Sequence, residues 1–145
     1  MQTESNRSIQ ILWNFSHPPF KIWQAWTDPA IAMLWFGSDP AGKVLEVKFD
    51  VCVNGSFSVT FANSDDTQFT CQGIYKEIDP HTRLVFTWSW TNQPDTNELI
   101  SLKFIPDDQG TLMTFEQSNI DPGTSHNYAE GWRSTFQKLE RALEK

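Results

Sequence analysis

The 145-residue chain reads as an α+β domain: a curved antiparallel sheet of about seven strands around a long C-terminal helix, with two short helices after the first strand. Three observations predict this. From residue 43 to 117, apolar and polar residues alternate in six successive runs separated by turn signals. After residue 127 the period becomes helical, placing Tyr128, Trp132, Thr135, Phe136, Leu139 and Leu143 on one face. Two short helical stretches interrupt the strands early in the chain. Each strand hides one face, and only one long helix is available to cover them. A sheet curved around that helix solves the problem, and a cylinder in a wide trough leaves space beside it.

The first strand is IQILWNF, with Ile9, Ile11, Trp13 and Phe15 on one side. Ser16 is a candidate helix cap and the two prolines after His17 suit a first helical turn. Ile22, Trp23 and Trp26 form the inner face of that helix. Asp28 and Pro29 cap and open a second one, whose stripe is Ile31, Leu34 and Trp35, ending at Gly37 and Pro40. Strands are then expected at 43–53, 56–61, 67–78, 84–90, 97–105 and 111–117. Asn54-Gly55 makes the first hairpin turn. Gly73 inside its strand points to a bulge or a close backbone approach. Gly131 inside the last helix costs about 1 kcal/mol relative to alanine, which close packing against another element would offset. The charged residues Arg133, Lys138, Glu140 and Arg141 fall on the solvent side of the helix pattern.

Composition narrows the function classes. The formal charge of −7 argues against a nucleic-acid partner, which requires a basic patch. The polar start carries no signal-peptide core, and the longest apolar run, 31–36, is too short to span a bilayer, so a soluble cytoplasmic protein with no membrane partner is expected. One domain is expected over residues 1–145. Cys52 and Cys71 fall in strands, make no CxxC pair and are expected to be reduced thiols. Aromatics make up 14% of the chain, with 11 Phe and 7 Trp, enough to wall an apolar cavity as well as a core.

The stretches IWQAWTDPAIAMLWFG, GIYKEIDPHTRLVFTWSW, GTLMTFEQ and EGWRSTFQKLERAL, in this order, resemble the landmarks of one family. It comprises the homologues of the C-terminal domain of the activator of heat-shock protein 90 ATPase, within the START-like (SRPBCC, polyketide cyclase or Bet v-like) superfamily. The resemblance runs from about Ile9 to Leu143 and implies the helix-grip fold, with a cavity for apolar or amphipathic small molecules. Members often carry Asp-x-Arg-x-Gly-Gly between the second and third strands. Here Asp50 and Gly55 remain, while Cys52 replaces the arginine and Asn54 the first glycine, so a function resting on that arginine is not implied. The resemblance leaves three activities open. One is ligand binding without catalysis. Another is assistance to the heat-shock protein 90 chaperone in the stress response; for this, 145 residues leave no room for the activators' extra N-terminal domain. The third is a cyclase- or hydrolase-type reaction in the same cavity.

No catalytic residue, cofactor or metal site is legible. His17, His81 and His126 have no partner at metal-ligand spacing and read as surface residues, with His126 and Asp121 nearest the expected cavity mouth. Glu116 points outward by parity. Glu98 points inward unless it ends its strand in solvent, and Glu130 is either a first-turn helix charge or a rim group. The candidate ligand-binding residues are Trp35, Phe57, Phe69, Trp88, Trp90, Leu102, Phe115, Trp132 and Phe136. Most residues of this wall seal the sheet to the helix. Trp88 and Trp90 are the preferred cavity residues because buried indole N–H groups need partners. The partner expected is a small apolar or amphipathic ligand, and a homodimer is compatible with an exposed sheet edge.

Overall fold

The computed structural model describes residues 7–120 and 127–144, with the backbone alone at 93–97. Its elements are β1 (Arg7–Phe15), α1 (Pro19–Thr27), α2 (Pro29–Ala32), β2 (Lys43–Phe49), β3 (Ser56–Ala62), β4 (Gln68–Asp79), β5 (Arg83–Trp90), β6 (Gln93–Asp107), β7 (Gly110–Ile120) and α3 (Tyr128–Leu143). The seven strands form one sheet in the order β1-β7-β6-β5-β4-β3-β2, each pair antiparallel. This is the α+β helix-grip arrangement that the alternating runs and the final helix predict.

Curvature comes from identifiable interruptions. Register shifts at Val44/Glu46 in β2 and Tyr75/Glu77 in β4 each add a residue that bends the strand, and between Trp88 and Trp90 of β5 the facing strand β6 carries the extra residues. At Gly73 the backbone of β5 passes so close that an added Cβ would lie 1.9 Å from the Thr87 carbonyl oxygen and 2.5 Å from the Phe57 ring. The ladder is broken beside it, and the Ile74 amide donates to the Thr87 hydroxyl at 2.8 Å instead. Gly73 is thus the close approach its position suggests.

The inner face of the sheet packs on α3 through aromatic rings. Phe136, fully buried, lies within 5.4–6.5 Å of the Trp13, Phe15, Trp26, Phe115 and Trp132 rings, centroid to centroid. The short helices close this end. Trp26 and Trp35 meet edge-on at 4.9 Å, and Trp35 Nε1 donates to the Ala25 carbonyl. Asp28 caps α2 by accepting from the Ala30 amide.

Several expectations change. β2 stops at Phe49, and residues 50–55 form a loop, not a strand with a two-residue turn. The Asn54 amide donates to the Tyr75 carbonyl and the Gly55 amide to the Cys52 carbonyl, so Cys52 sits exposed in a loop while Cys71 is buried in β4; both are free. Leu34 is 62% exposed, because α2 is a single turn and Phe36, not Leu34, continues inward. Ser16 caps nothing: its amide and hydroxyl both donate to Glu140, which also faces His17 Nε2 at 3.3 Å. His17 is therefore a partly covered partner of α3 and not a freely solvated residue. Lys138 is also not on a solvent face. Its ammonium donates to the carbonyls of Phe36, Gly37 and Asp39, and burial lowers its pKa against the opposing pull of the Asp39 charge. Two connections packed on α3 make these differences, the one after β1 at Ser16 and His17 and the one after α2 at Phe36 to Asp39.

Asp39 completes that clamp. Its carboxylate accepts from the Ala41 amide and from the Ser64 amide and hydroxyl, and these bonds hold its pKa below the usual value. Because the folded chain keeps this group ionised to lower pH, its contribution is complete above the ordinary carboxylate pKa and fades as pH falls through the folded value. Asp39→Asn is therefore expected to lower the urea midpoint at pH 7 by more than at pH 3. An equal loss at both pH values would count against the ionised group.

Among the described residues no helix is long and apolar enough to cross a membrane, and no cluster of three His, Cys, Asp or Glu side chains could hold a metal ion.

Candidate functional site

Beside Trp132 and Phe136, the flank of α3 that faces the loop after α2 is small, made by Gly131 and Thr135. Gly131 lies against Ser38 of that loop, and space is left where these small residues adjoin the ring cluster of Phe36, Phe61, Trp88 and Trp90. The result is a cavity of about 170 Å³. Its wall comes from that loop (Phe36, Gly37, Ser38), the end of β3 and start of β4 (Phe61, Asn63, Phe69), the end of β5 (Trp88, Trp90) and α3 (Asn127, Tyr128, Gly131, Trp132, Thr135). Parity supplies the strand residues. The Thr135 hydroxyl turns back onto the Gly131 carbonyl at 2.8 Å, leaving its methyl as the packing surface.

Of the nine residues the sequence offers as ligand-binding candidates, Phe69, Trp88, Trp90 and Trp132 are brought together on this wall. Trp35, Phe57, Leu102, Phe115 and Phe136 do not line it and belong to the buried core beside it. Phe57, Leu102 and Phe115 share the inward parity of the wall strands but sit elsewhere on the sheet, while Trp35 follows α2 and Phe136 lies on α3, each packed against other rings. Phe36, Phe61 and Tyr128 are wall residues that the sequence reading did not single out as site residues. Phe36 and Tyr128 stand close in sequence to the small residues Gly37, Ser38 and Gly131, and Phe61 ends the inward row of β3. Asp121 and His126 lie outside the described residues.

A chain of buried polar groups backs the cavity. Trp90 Nε1 donates to the Tyr128 hydroxyl at 2.9 Å, and that hydroxyl also hydrogen-bonds the Glu98 carboxylate. Glu98 accepts from Gln117 Nε2 at 2.5 Å, and Gln117 Oε1 accepts from Trp132 Nε1 at 2.8 Å. Glu98 is 3% exposed and Gln117 fully buried, so this network fixes Trp90, Tyr128 and Trp132 in orientation. The strand-end alternative for Glu98 fails because β6 begins five residues earlier, at Gln93. Trp88 Nε1 lies close enough to the same Tyr128 oxygen to lower its pKa but forms no well-made hydrogen bond. Glu130 is a capping charge: its amide donates to Asn127 Oδ1 while Asn127 Nδ2 donates to its carboxylate.

No carboxylate, histidine, lysine or arginine lines the cavity among the described residues. The ionisable group on the wall is Tyr128. Burial pushes its phenol up to about 12, with Glu98 adding to the shift and the Trp90 donor opposing it. At neutral pH this group hydrogen-bonds but does not act as a base. A wider trough of about 810 Å³ on the outer sheet face is walled mainly by short polar side chains such as Ser56, Ser58, Gln72, Thr87 and Ser89, and lacks a convergent apolar wall.

Gly131 is the residue that keeps the mouth open. A Cβ there would meet Ser38 Cβ at 3.4 Å, ordinary contact, so packing does not demand glycine. Gly131→Ala is expected to stabilise the protein by about 0.5–1 kcal/mol through helix propensity and the unfolded chain. Urea titration measures it, and a loss of stability would mean that α3 and the loop stand closer than described.

The model of the family described as activator of Hsp90 ATPase homolog 1-like protein matches residues 16–144. No curated protein matches the chain. Among solved structures, protein CV1439 from Chromobacterium violaceum is 20% identical, with a TM-score of 0.84 over 96% of this chain and 99% of that one. Protein NE0264 from Nitrosomonas europaea is 20% identical, with a TM-score of 0.82 over 94% of each chain. An AHSA1-like protein from Aeromonas hydrophila is 23% identical, with a TM-score of 0.78 over 95% of this chain and 92% of that one. At these identities the likeness is one of fold.

Proposed function

The chain belongs to the family of activator of Hsp90 ATPase homolog 1-like proteins, and on that footing we propose that it binds a hydrophobic or amphipathic small molecule between the sheet and the first turns of α3. The observation that carries this reading is the cavity wall: seven of its thirteen residues are aromatic, and the buried hydrogen bonds behind it hold three of those rings in place. A core that needed only stability would fill such a space, because an unfilled volume forfeits dispersion contacts. A ligand that binds only the folded form raises stability by mass action. The test is a broad library of apolar and amphipathic compounds read by melting temperature and tryptophan emission, alongside native mass spectrometry of the purified protein. Binding by members of that library supports the reading. A silent library together with a protein of bare chain mass would sink it.

A second reading, assistance to Hsp90, is favoured by the family's description. A pull-down and an ATPase assay with the chaperone decide it: stimulation supports this reading, and neither binding nor stimulation removes it.

A further inference from the structure

We propose that the occupant of this cavity is a neutral, ring-sized molecule, aromatic or alicyclic, whose hydroxyl or carbonyl group faces the mouth. The inference rests on the ligand-binding reading above and narrows it. Size sets the first limit. The cavity holds about 170 Å³, and an apolar protein cavity of about 150 Å³ is known to accept a single benzene, so roughly six to ten non-hydrogen atoms fill it. A twelve-carbon chain, roughly twice benzene's atom count, would leave much of itself in water.

Charge sets the second limit. No described wall side chain is charged, and Lys138, the cation that holds the adjoining loop, is already committed to three carbonyls. A carboxylate or ammonium drawn inside would lose its hydration and gain no counter-ion. Shape and polarity set the third. The wall offers flat rings on several sides, including Trp88 and Trp90, whose centroids lie 5.4 Å apart at an interplanar angle of 81°. A flat or puckered ring meets one face and one edge of that pair. Polar groups that are not tied into the buried chain, Ser38 and the half-buried Asn63, lie at the mouth, so a ligand's single polar group belongs there.

The test compares three probes by calorimetric titration on the full chain. They are p-cresol, neutral and ring-sized; 4-methylbenzoate, the same ring with a charge; and dodecanoate, a long amphiphile. p-Cresol is expected to bind with a dissociation constant of about 1 mM or tighter, and each of the other two at least tenfold more weakly. Gly131→Leu, which fills the mouth, is expected to weaken p-cresol at least tenfold. Should leucine not be tolerated, Gly131→Ala is read for a weakening of at least threefold. Equal or tighter binding of 4-methylbenzoate or dodecanoate overturns this inference while leaving a ligand cavity in place. Unchanged p-cresol binding in the Gly131 variants also overturns it. Failure of all three probes overturns the inference, and the library result then decides separately whether ligand binding survives.

Discussion

Gly73→Ala is expected to destabilise the protein by about 3 kcal/mol, a large share of a small domain's total stability. The cause is the approach of β5: the new Cβ would lie 1.9 Å from the Thr87 carbonyl oxygen and 2.5 Å from the Phe57 ring. A backbone carbonyl cannot swing away as a side chain can, so β4 or β5 must move. Movement there also disturbs Trp88, one residue beyond Thr87 and on the cavity wall. Urea unfolding measures the loss. A change below about 1 kcal/mol would mean that the two strands do not run this close.

Trp132→Ala is expected to cost about 3–5 kcal/mol, as removal of a buried aromatic side chain does. Trp132 lies within 4.9–6.1 Å, ring to ring, of Trp26, Phe36, Trp88, Phe115 and Phe136, so the residual hole has rigid walls and closes poorly. Trp132→Phe separates ring from donor. It keeps most of the apolar bulk but leaves Gln117 Oε1 without its indole partner, an orphaned buried acceptor worth about 1–3 kcal/mol. If phenylalanine costs as much as alanine, the buried polar chain outweighs the packing and the description of this region as an aromatic junction is wrong.

Period and parity made most of the fold legible. Alternation places Phe57, Val59 and Phe61 inward on β3, Leu84, Phe86 and Trp88 on β5, and Met113 and Phe115 on β7, and all of them are buried. The misread boundaries share a cause. Residues 50–53 alternate like a strand, yet Val51 and Val53 are 37% and 56% exposed, because local pattern cannot tell a strand edge from a loop without knowing what pairs with it. Lys138 and Glu140 obey the helical period of the solvent face and are claimed by segments far away in the chain, which no helical wheel contains.

The site was legible in part for a related reason. Parity says which side of the sheet a residue faces, and it brought Trp88 and Trp90 to the wall. It says nothing of position along the sheet. Phe115 and Trp88 both point inward and both lie beside Trp132, at 4.9 and 5.3 Å. Phe115 is sealed beneath it, and Trp88 borders open space. The difference is made by the small residues Gly37, Ser38 and Gly131, drawn from two distant segments. Glu98 and Gln117 escaped notice as a pair because their contact joins β6 to β7 across 19 residues of sequence.

The most direct measurement of the central claim uses the seven tryptophans as reporters. With the indole nitrogens labelled, each ring gives its own N–H signal. On titration with p-cresol, or with any compound that raises the melting temperature in the library, the signals of Trp88, Trp90 and Trp132 should move most, and that of Trp23, buried against Phe104 away from the cavity wall, should stay. Shifts led by Trp23, or stabilisation with the three wall signals unmoved, would place the ligand elsewhere and contradict the cavity assigned here.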